Sequence, residues 1–209
     1  MSSDKKPSIT PAQDGPYIVN GLVKFADQKG PIAAKDKIAL CRCGKSANKP
    51  YCDGAHKKIG FSSAKVEGRV KDKQDHYQGK NITIHDNRWL CAHAGRCIDG
   101  LAAVFRLRGK PWIDPDAASV DEIIRTIQKC PSGALSYSVG VVEHRDRPGE
   151  PTIFVAPNGP YVVSGGPELL DTVCGEGASR EHFTLCRCGG SGNKPFCDGS
   201  HRNIKFSDN

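Results

Sequence analysis

Two segments of the chain carry the same four side chains able to grip a metal. Cys41, Cys43, Cys52 and His56 stand in the spacing Cys-x-Cys-x8-Cys-x3-His, and Cys186, Cys188, Cys197 and His201 repeat it 145 residues later. CRCGKSANKPYCDGAH and CRCGGSGNKPFCDGSH agree at twelve of sixteen positions, so one module occurs twice. Three thiolates and an imidazole form a complete donor set for tetrahedral zinc or for iron in a sulfide-bridged cluster, and donor types alone leave both open. A disulfide framework is the poorer reading, because Cys-x-Cys is a strained pair and the N-terminal residues lack a signal peptide's apolar core.

A second, looser set lies between the copies: Cys91-x5-Cys97, then 32 residues, then Cys130-Pro131. A Cys-Pro pair after a helix, matched with an earlier close pair of cysteines, is a ferredoxin signature. The pattern resembles single-cluster bacterial ferredoxins whose central cysteine is missing, Ala94 holding its place. Three thiolates suit a [3Fe–4S] cluster, placed ahead of [4Fe–4S], which needs a fourth ligand for which His93 is the nearest candidate. The alternative is that Cys91, Cys97 and Cys130 are merely small buried residues.

The outer motifs resemble the CDGSH iron–sulfur (NEET) family, C-x-C-x2-(S/T)-x3-P-x-C-D-G-(S/A/T)-H, with Ser46, Pro50, Ser191 and Pro195 at its fixed positions and CDGAH as the first copy's variant. That resemblance implies one [2Fe–2S] cluster per motif, held by Cys41, Cys43, Cys52 and His56 and by Cys186, Cys188, Cys197 and His201. It also implies that two motifs in one chain pair as a pseudo-dimer, with strand exchange between the halves. Neutral imidazole in place of one thiolate makes electron uptake easier and gives the site a proton-sensitive handle near neutral pH. Protonation of the iron-binding nitrogen would break its bond, so acid should destabilise the cluster.

The elements that must hold these donors are short. Gly15–Val19 and Gly159–Val163 are matching strand starts whose Tyr17 and Tyr161 read as packing residues. Asp53 reads as the N-cap of a helix carrying His56 at its third position. In the middle, Asn81–His85 alternates like a strand, Ser119 to Glu122 is a capping box for a helix running to about Lys129, and Leu135–Val142 reads as one strand. Lys65–Asp75 and Glu143–Pro151 read as linkers. The expected fold is α+β: a first CDGSH module over 13–64, a divergent ferredoxin-like domain over 76–142, and a second CDGSH module over 151–209.

Composition agrees with small modules that need a staple: of 209 residues, 37% are hydrophobic, with 23 Gly, 14 Pro and 10 Cys. No apolar run approaches the roughly 18–20 residues of a membrane helix, so a soluble, cytoplasmic protein is expected. The formal charge of +7 is concentrated in residues 1–80, with 16 basic against 8 acidic side chains. Arg42, Lys45, Lys49, Lys57 and Lys58 around the first motif could steer an acidic redox partner. Few aromatics and no helix–turn–helix or RRM pattern argue against nucleic acid. Without a nucleophile–base set or a phosphate loop, the expectation is a monomeric redox carrier and not an enzyme. The alternatives are storage or transfer of [2Fe–2S] to an apo-acceptor, or a zinc-stabilised interaction module. Cys174 reads as a free thiol, Trp89 and Trp112 as core, and His76, His85, His144 and His182 receive no role.

Overall fold

The computed structural model describes residues 6–208 except 23 and 34. The first copy supplies β1 (Ser8–Pro11), β2 (Tyr17–Asn20), β3 (Lys24–Asp27), β4 (Gly30–Pro31) and β5 (Lys37–Leu40), then a cysteine loop closed by α1 (Ala55–Lys58). The middle module holds β6 (Asp75–Gln78), β7 (Thr83–Asp86), α2 (Arg96–Gly100), α3 (Val120–Ile127), β8 (Leu135–Val139) and β9 (Val142–His144). The second copy repeats the first with β10 (Thr152–Val155), β11 (Tyr161–Ser164), β12 (Glu168–Leu169), β13 (Phe183–Leu185) and α4 (Ser200–Asn203). The protein is a sheet-rich α+β molecule, and among the described residues no helix is long and apolar enough to cross a membrane.

The two ends of the chain share their sheets. One sheet has the order β12-β1-β2-β5 and the other β13-β11-β10-β3-β4, so β12 of the second copy lies beside β1, and β3 of the first beside β10. Both of these junctions are parallel, with Ser8 opposite Glu168 and Thr152 opposite Lys24. Each copy alternates inward apolar residues at the strand period of two: Tyr17 and Val19 in β2, Tyr161 and Val163 in β11. These side chains meet in one core to which both ends contribute, including Ile9, Phe25, Leu40, Ile153, Leu185 and Phe196. Half of that core would be a small apolar store for a module of about fifty residues, and sharing it supplies the burial that neither copy has alone.

The middle module forms its own sheet, β6-β7-β8-β9, against which α3 buries Ile123 and Ile127. Its capping box is present, Ser119 Oγ accepting from the Glu122 amide and the Glu122 carboxylate accepting from the Ser119 amide. The segment expected as one strand over 135–142 is instead a hairpin: Gly140 takes a left-handed φ of 60° and turns β8 into β9. Trp89 packs on both cores and so sits at the junction of the middle module with the rest.

Candidate metal centres

In each copy a strand delivers the first cysteine and a glycine-led turn delivers the last two donors. β5 ends at Leu40 and presents Cys41 and Cys43, whose sulfurs are 3.9 Å apart; Cys52 Sγ lies 3.4 Å from His56 Nδ1. In the second copy the corresponding distances are 3.8 Å for Cys186–Cys188 and 3.5 Å for Cys197–His201. The expected helix start is shifted by one residue. Gly54 and Gly199 are the N-caps, at φ 87° and 85°, and Asp53 acts from one position earlier. The left-handed glycine turns its own N–H back onto the cysteine sulfur, 3.4 Å for Gly54 to Cys52 and 3.4 Å for Gly199 to Cys197.

The aspartate of each motif ties the loop together. Asp53 accepts from the Ala47 and Ala55 amides at 2.8 and 3.0 Å, and Asp198 from Gly192 and Ser200 at 2.8 and 3.0 Å. The Ala55 and Ala47 amides hold the Asp53 carboxyl below its usual range. Ser46 and Ser191 brace the loop similarly, each donating at 2.7 Å to the carbonyl of the residue before the third cysteine.

Residues from one copy also hold the loop of the other, and this the sequence reading missed. Tyr17 Oη donates toward the carbonyls of Cys186 and Pro195, both at 2.9 Å, while Tyr161 Oη reaches those of Cys41 and Pro50 at 2.9 and 3.0 Å. Both phenols are fully buried and meet edge to face, with ring centroids 6.0 Å apart. Cys43 and Cys188 form an antiparallel bridge, and Gly44 and Gly189 allow it: a Cβ on either would stand 2.5 Å from the opposite cysteine's carbonyl oxygen. The repeat offset and the equivalent tyrosines could have signalled this reciprocity; period and polarity alone gave packing.

Arg42 corrects the surface reading given to it. Its side chain is buried, with Nη1 donating to Ala12 O at 3.1 Å, and it braces the loop instead of steering a partner. Arg187 is its buried counterpart, bonded to the Gly159 and Ala156 carbonyls and paired with Asp208.

In the middle module, Cys91, Cys97 and Cys130 line one pocket together with Asp86, Ala94 and Ser132. The His93 amide and Arg88 Nη1 donate to Cys91 Sγ at 3.4 and 3.5 Å. The Arg88 guanidinium carbon lies over the Trp112 ring, 3.6 Å from its centroid, and Nε lies 3.1 Å from Asp86 Oδ2. Burial lifts the Asp86 carboxyl to about 6, against the pull of Arg88. The His93 side chain is not among the pocket's walls and lies against Gly199 of the second motif. Of the histidines without a role, His76 and His85 contact each other at 2.7 Å, and buried His182 lies 2.8 Å from Ser179 Oγ. Cys174 is exposed and free.

These donor sets fit a cationic iron core. Sulfurs bound tetrahedrally at about 2.3 Å sit about 3.8 Å apart, the spacing of both Cys-x-Cys pairs. Burial pushes the thiols up, Cys43 to about 11, Cys97 to about 11 and Cys197 to about 12, so their thiolates need a positive centre beside them. Among the described residues no three Cys, His, Asp or Glu side chains gather around the point a single ion would occupy. In each outer loop the donors stand in two close pairs, Cys41 with Cys43 and Cys52 with His56, and Cys186 with Cys188 and Cys197 with His201.

The model of the iron-binding zinc finger CDGSH type matches residues 14–57 and 158–202, and that of the divergent 4Fe–4S mono-cluster matches 77–140. Uncharacterized protein YjdI of Escherichia coli K12 is 43% identical over 61 residues, 29% of this chain and 80% of that protein. This chain belongs to the CDGSH iron-binding family. The protein of the same name in E. coli O157:H7 aligns with the same identity and coverage. The CDGSH and mono-cluster modules make the chain an iron–sulfur-binding protein, with two CDGSH modules flanking a ferredoxin-like one.

Proposed function

We propose that the chain is an electron carrier with two [2Fe–2S] clusters in its Cys3His sites and a third cluster on Cys91, Cys97 and Cys130. The observation that carries this reading is the arrangement of donors in each outer loop: two pairs 3.4–3.9 Å across, with a backbone N–H aimed at the third cysteine's sulfur. A [2Fe–2S] group held by three thiolates and one neutral imidazole supplies one-electron chemistry at a higher potential than a four-thiolate group, since it carries one negative charge fewer. The chain's part is to hold the thiolates ionised through the Gly54, Gly190 and Gly199 amides, which favour negative sulfur. Nδ1 is the histidine atom beside the cysteine sulfur in both sites, which leaves Nε2 to exchange a proton with solvent.

The two copies act as an internal pseudo-dimer, a reading supported by the crossed tyrosines, the Cys43–Cys188 bridge and the two matched parallel junctions. A chain that carries both halves needs no second copy to complete either site. Lys45, Lys57 and Lys58 are exposed beside the first site, a basic rim suited to an acidic redox partner.

Iron and sulfide analysis of anaerobically purified protein, with EPR after dithionite, tests the assignment. Four irons per chain fill the outer sites alone, and seven or eight fill the middle site too. A colourless, EPR-silent protein with stoichiometric zinc refutes it.

A further inference from the structure

The two Cys3His loops share the same donor pairs and bracing hydrogen bonds, but their surroundings differ. Gly54 and Gly199 share one left-handed conformation, and among the described residues nothing lies within 4 Å of a Cβ built on Gly54. A Cβ on Gly199 would meet His93 Cβ at 3.1 Å and Ala92 O at 3.2 Å, because the loop carrying Cys91 presses directly on the second motif. The same contrast runs through the loop. Asn48 is exposed, while Asn193 is buried and donates to Trp89 O at 2.7 Å. Tyr51 is half-buried, while Phe196 is buried with its ring 5.7 Å from that of Trp89. Asp53 is exposed, while Asp198 is half-buried and faces Arg69 at 3.7 Å. The linker adds a further clasp, Val66 N donating to Gly192 O at 2.9 Å. As a result Cys52 is half-buried and Cys197 only 3% exposed.

We propose that the middle module is a cap on the second Cys3His site, so that the open first site is where the chain releases or accepts its [2Fe–2S] cargo and the capped second site retains it. This rests on the reading of both sites as cluster sites. Transfer is an exchange of ligands without redox change: each bond from iron to Cys41, Cys43, Cys52 or His56 is replaced by one to a donor of the acceptor, and the freed protein groups take up the protons that the acceptor's thiols lose. An incoming donor must reach a bound cysteine, and at the first site Cys52 is within reach of solvent. At the second site the Ala92–His93 loop packs against Gly199, two residues from the buried Cys197. His201 there borders a cleft of about 640 Å³ between the modules, lined by Ala92, Arg96, Lys129, Pro160 and Arg202.

The test uses two full-length variants, Cys52→Ala, which keeps the second site, and Cys197→Ala, which keeps the first. Each is loaded and exposed anaerobically to an iron(II) chelator while visible absorption and released iron are followed. We expect about tenfold slower loss from the Cys52→Ala protein; equal rates, or a faster second site, overturn the proposal. Should either variant fail to fold, Gly199→Ala and Gly54→Ala in the otherwise unaltered chain decide the matter, because both incur the same left-handed strain. Gly199→Ala should accelerate the slow phase of a biphasic loss several-fold and Gly54→Ala leave that phase unchanged. A slow phase indifferent to Gly199→Ala, or a single phase in the unaltered chain, refutes the cap. A protein that purifies with zinc, or without iron, fails the cluster reading itself, an outcome distinct from equal rates in an iron-loaded protein.

Discussion

Tyr17→Phe removes a hydroxyl that sits in the first copy and serves the second. Its Oη lies 2.9 Å from both Cys186 O and Pro195 O, in a position with no exposed surface. Pro195 O also accepts the Cys186 amide at 2.8 Å, so truncation leaves Cys186 O as the carbonyl that loses a partner. An intramolecular hydrogen bond contributes about 1 kcal/mol net, and a buried acceptor left unmatched raises the cost toward about 2 kcal/mol. Tyr161→Phe does the reverse, removing the donor to Cys41 O while Pro50 O keeps the Cys41 amide at 2.8 Å. Both rings survive the change, so the edge-to-face contact is kept; the single costs sum to roughly 2–4 kcal/mol, and the double variant should depart from that sum by about 0.5 kcal/mol or more because the two rings touch. Urea unfolding of the cluster-free protein reads that sum. The crossing is read by chelator-driven loss in chains with one site emptied: Tyr17→Phe should speed loss from the Cys186/Cys197 site, and Tyr161→Phe from the Cys41/Cys52 site, each about five- to tenfold. If Tyr17→Phe acts on the site of its own copy, or on neither, the reciprocal bracing does not operate.

Three further outcomes follow from other parts of the molecule. Gly44→Ala should cost about 2–5 kcal/mol, since its φ of 75° is left-handed and the new Cβ would fall 2.5 Å from Cys188 O; Gly60→Ala, at φ 62° with nothing within 4 Å among the described residues, should cost about 1 kcal/mol in the same urea experiment. His182 is held neutral by burial, its pKa lowered from 6.5 to about 4, so the unfolded chain binds the extra proton. Its contribution to stability is present in full above pH 6.5 and is lost as pH falls toward 4, at most about 3 kcal/mol; His182→Gln should flatten that part of the stability–pH curve of the cluster-free protein, and an unchanged slope would refute it. Ser119→Ala deletes the capping-box hydroxyl of α3 and should cost about 1 kcal/mol, seen as faster amide exchange in the first turn of that helix.

Much of this organisation is legible in the amino-acid sequence. The spacing of Cys41, Cys43, Cys52 and His56, and its recurrence, picked out side chains that the structure brings together in each loop, because ligand chemistry constrains residue type and separation directly. The capping box at Ser119 was equally legible, being a local device whose partners lie three residues apart. What failed was whatever depends on distant chain. Arg42 looked like a surface charge because its acceptor, Ala12 O, lies 30 residues away, and Tyr17 looked like packing because its partners lie 169 and 178 residues away. The hairpin at Gly140 was missed for a different reason: apolar residues continue through Val141 and Val142, and only the left-handed turn separates the two strands.

An insert that occurs once cannot treat two like sites alike. The two copies present the same loop, the same glycine conformation and the same donor distances, so each offers the middle module an equivalent place to dock. One module can occupy only one of them, and the contacts of Ala92, His93 and Trp89 fall on Gly199, Asn193 and Phe196. Duplication alone would give two interchangeable centres. Duplication around a single insert forces them to differ in access, whatever the similarity of their ligands, and the position of Cys91 two residues before His93 means that the module which covers the second centre does so with the loop that carries its own first thiol.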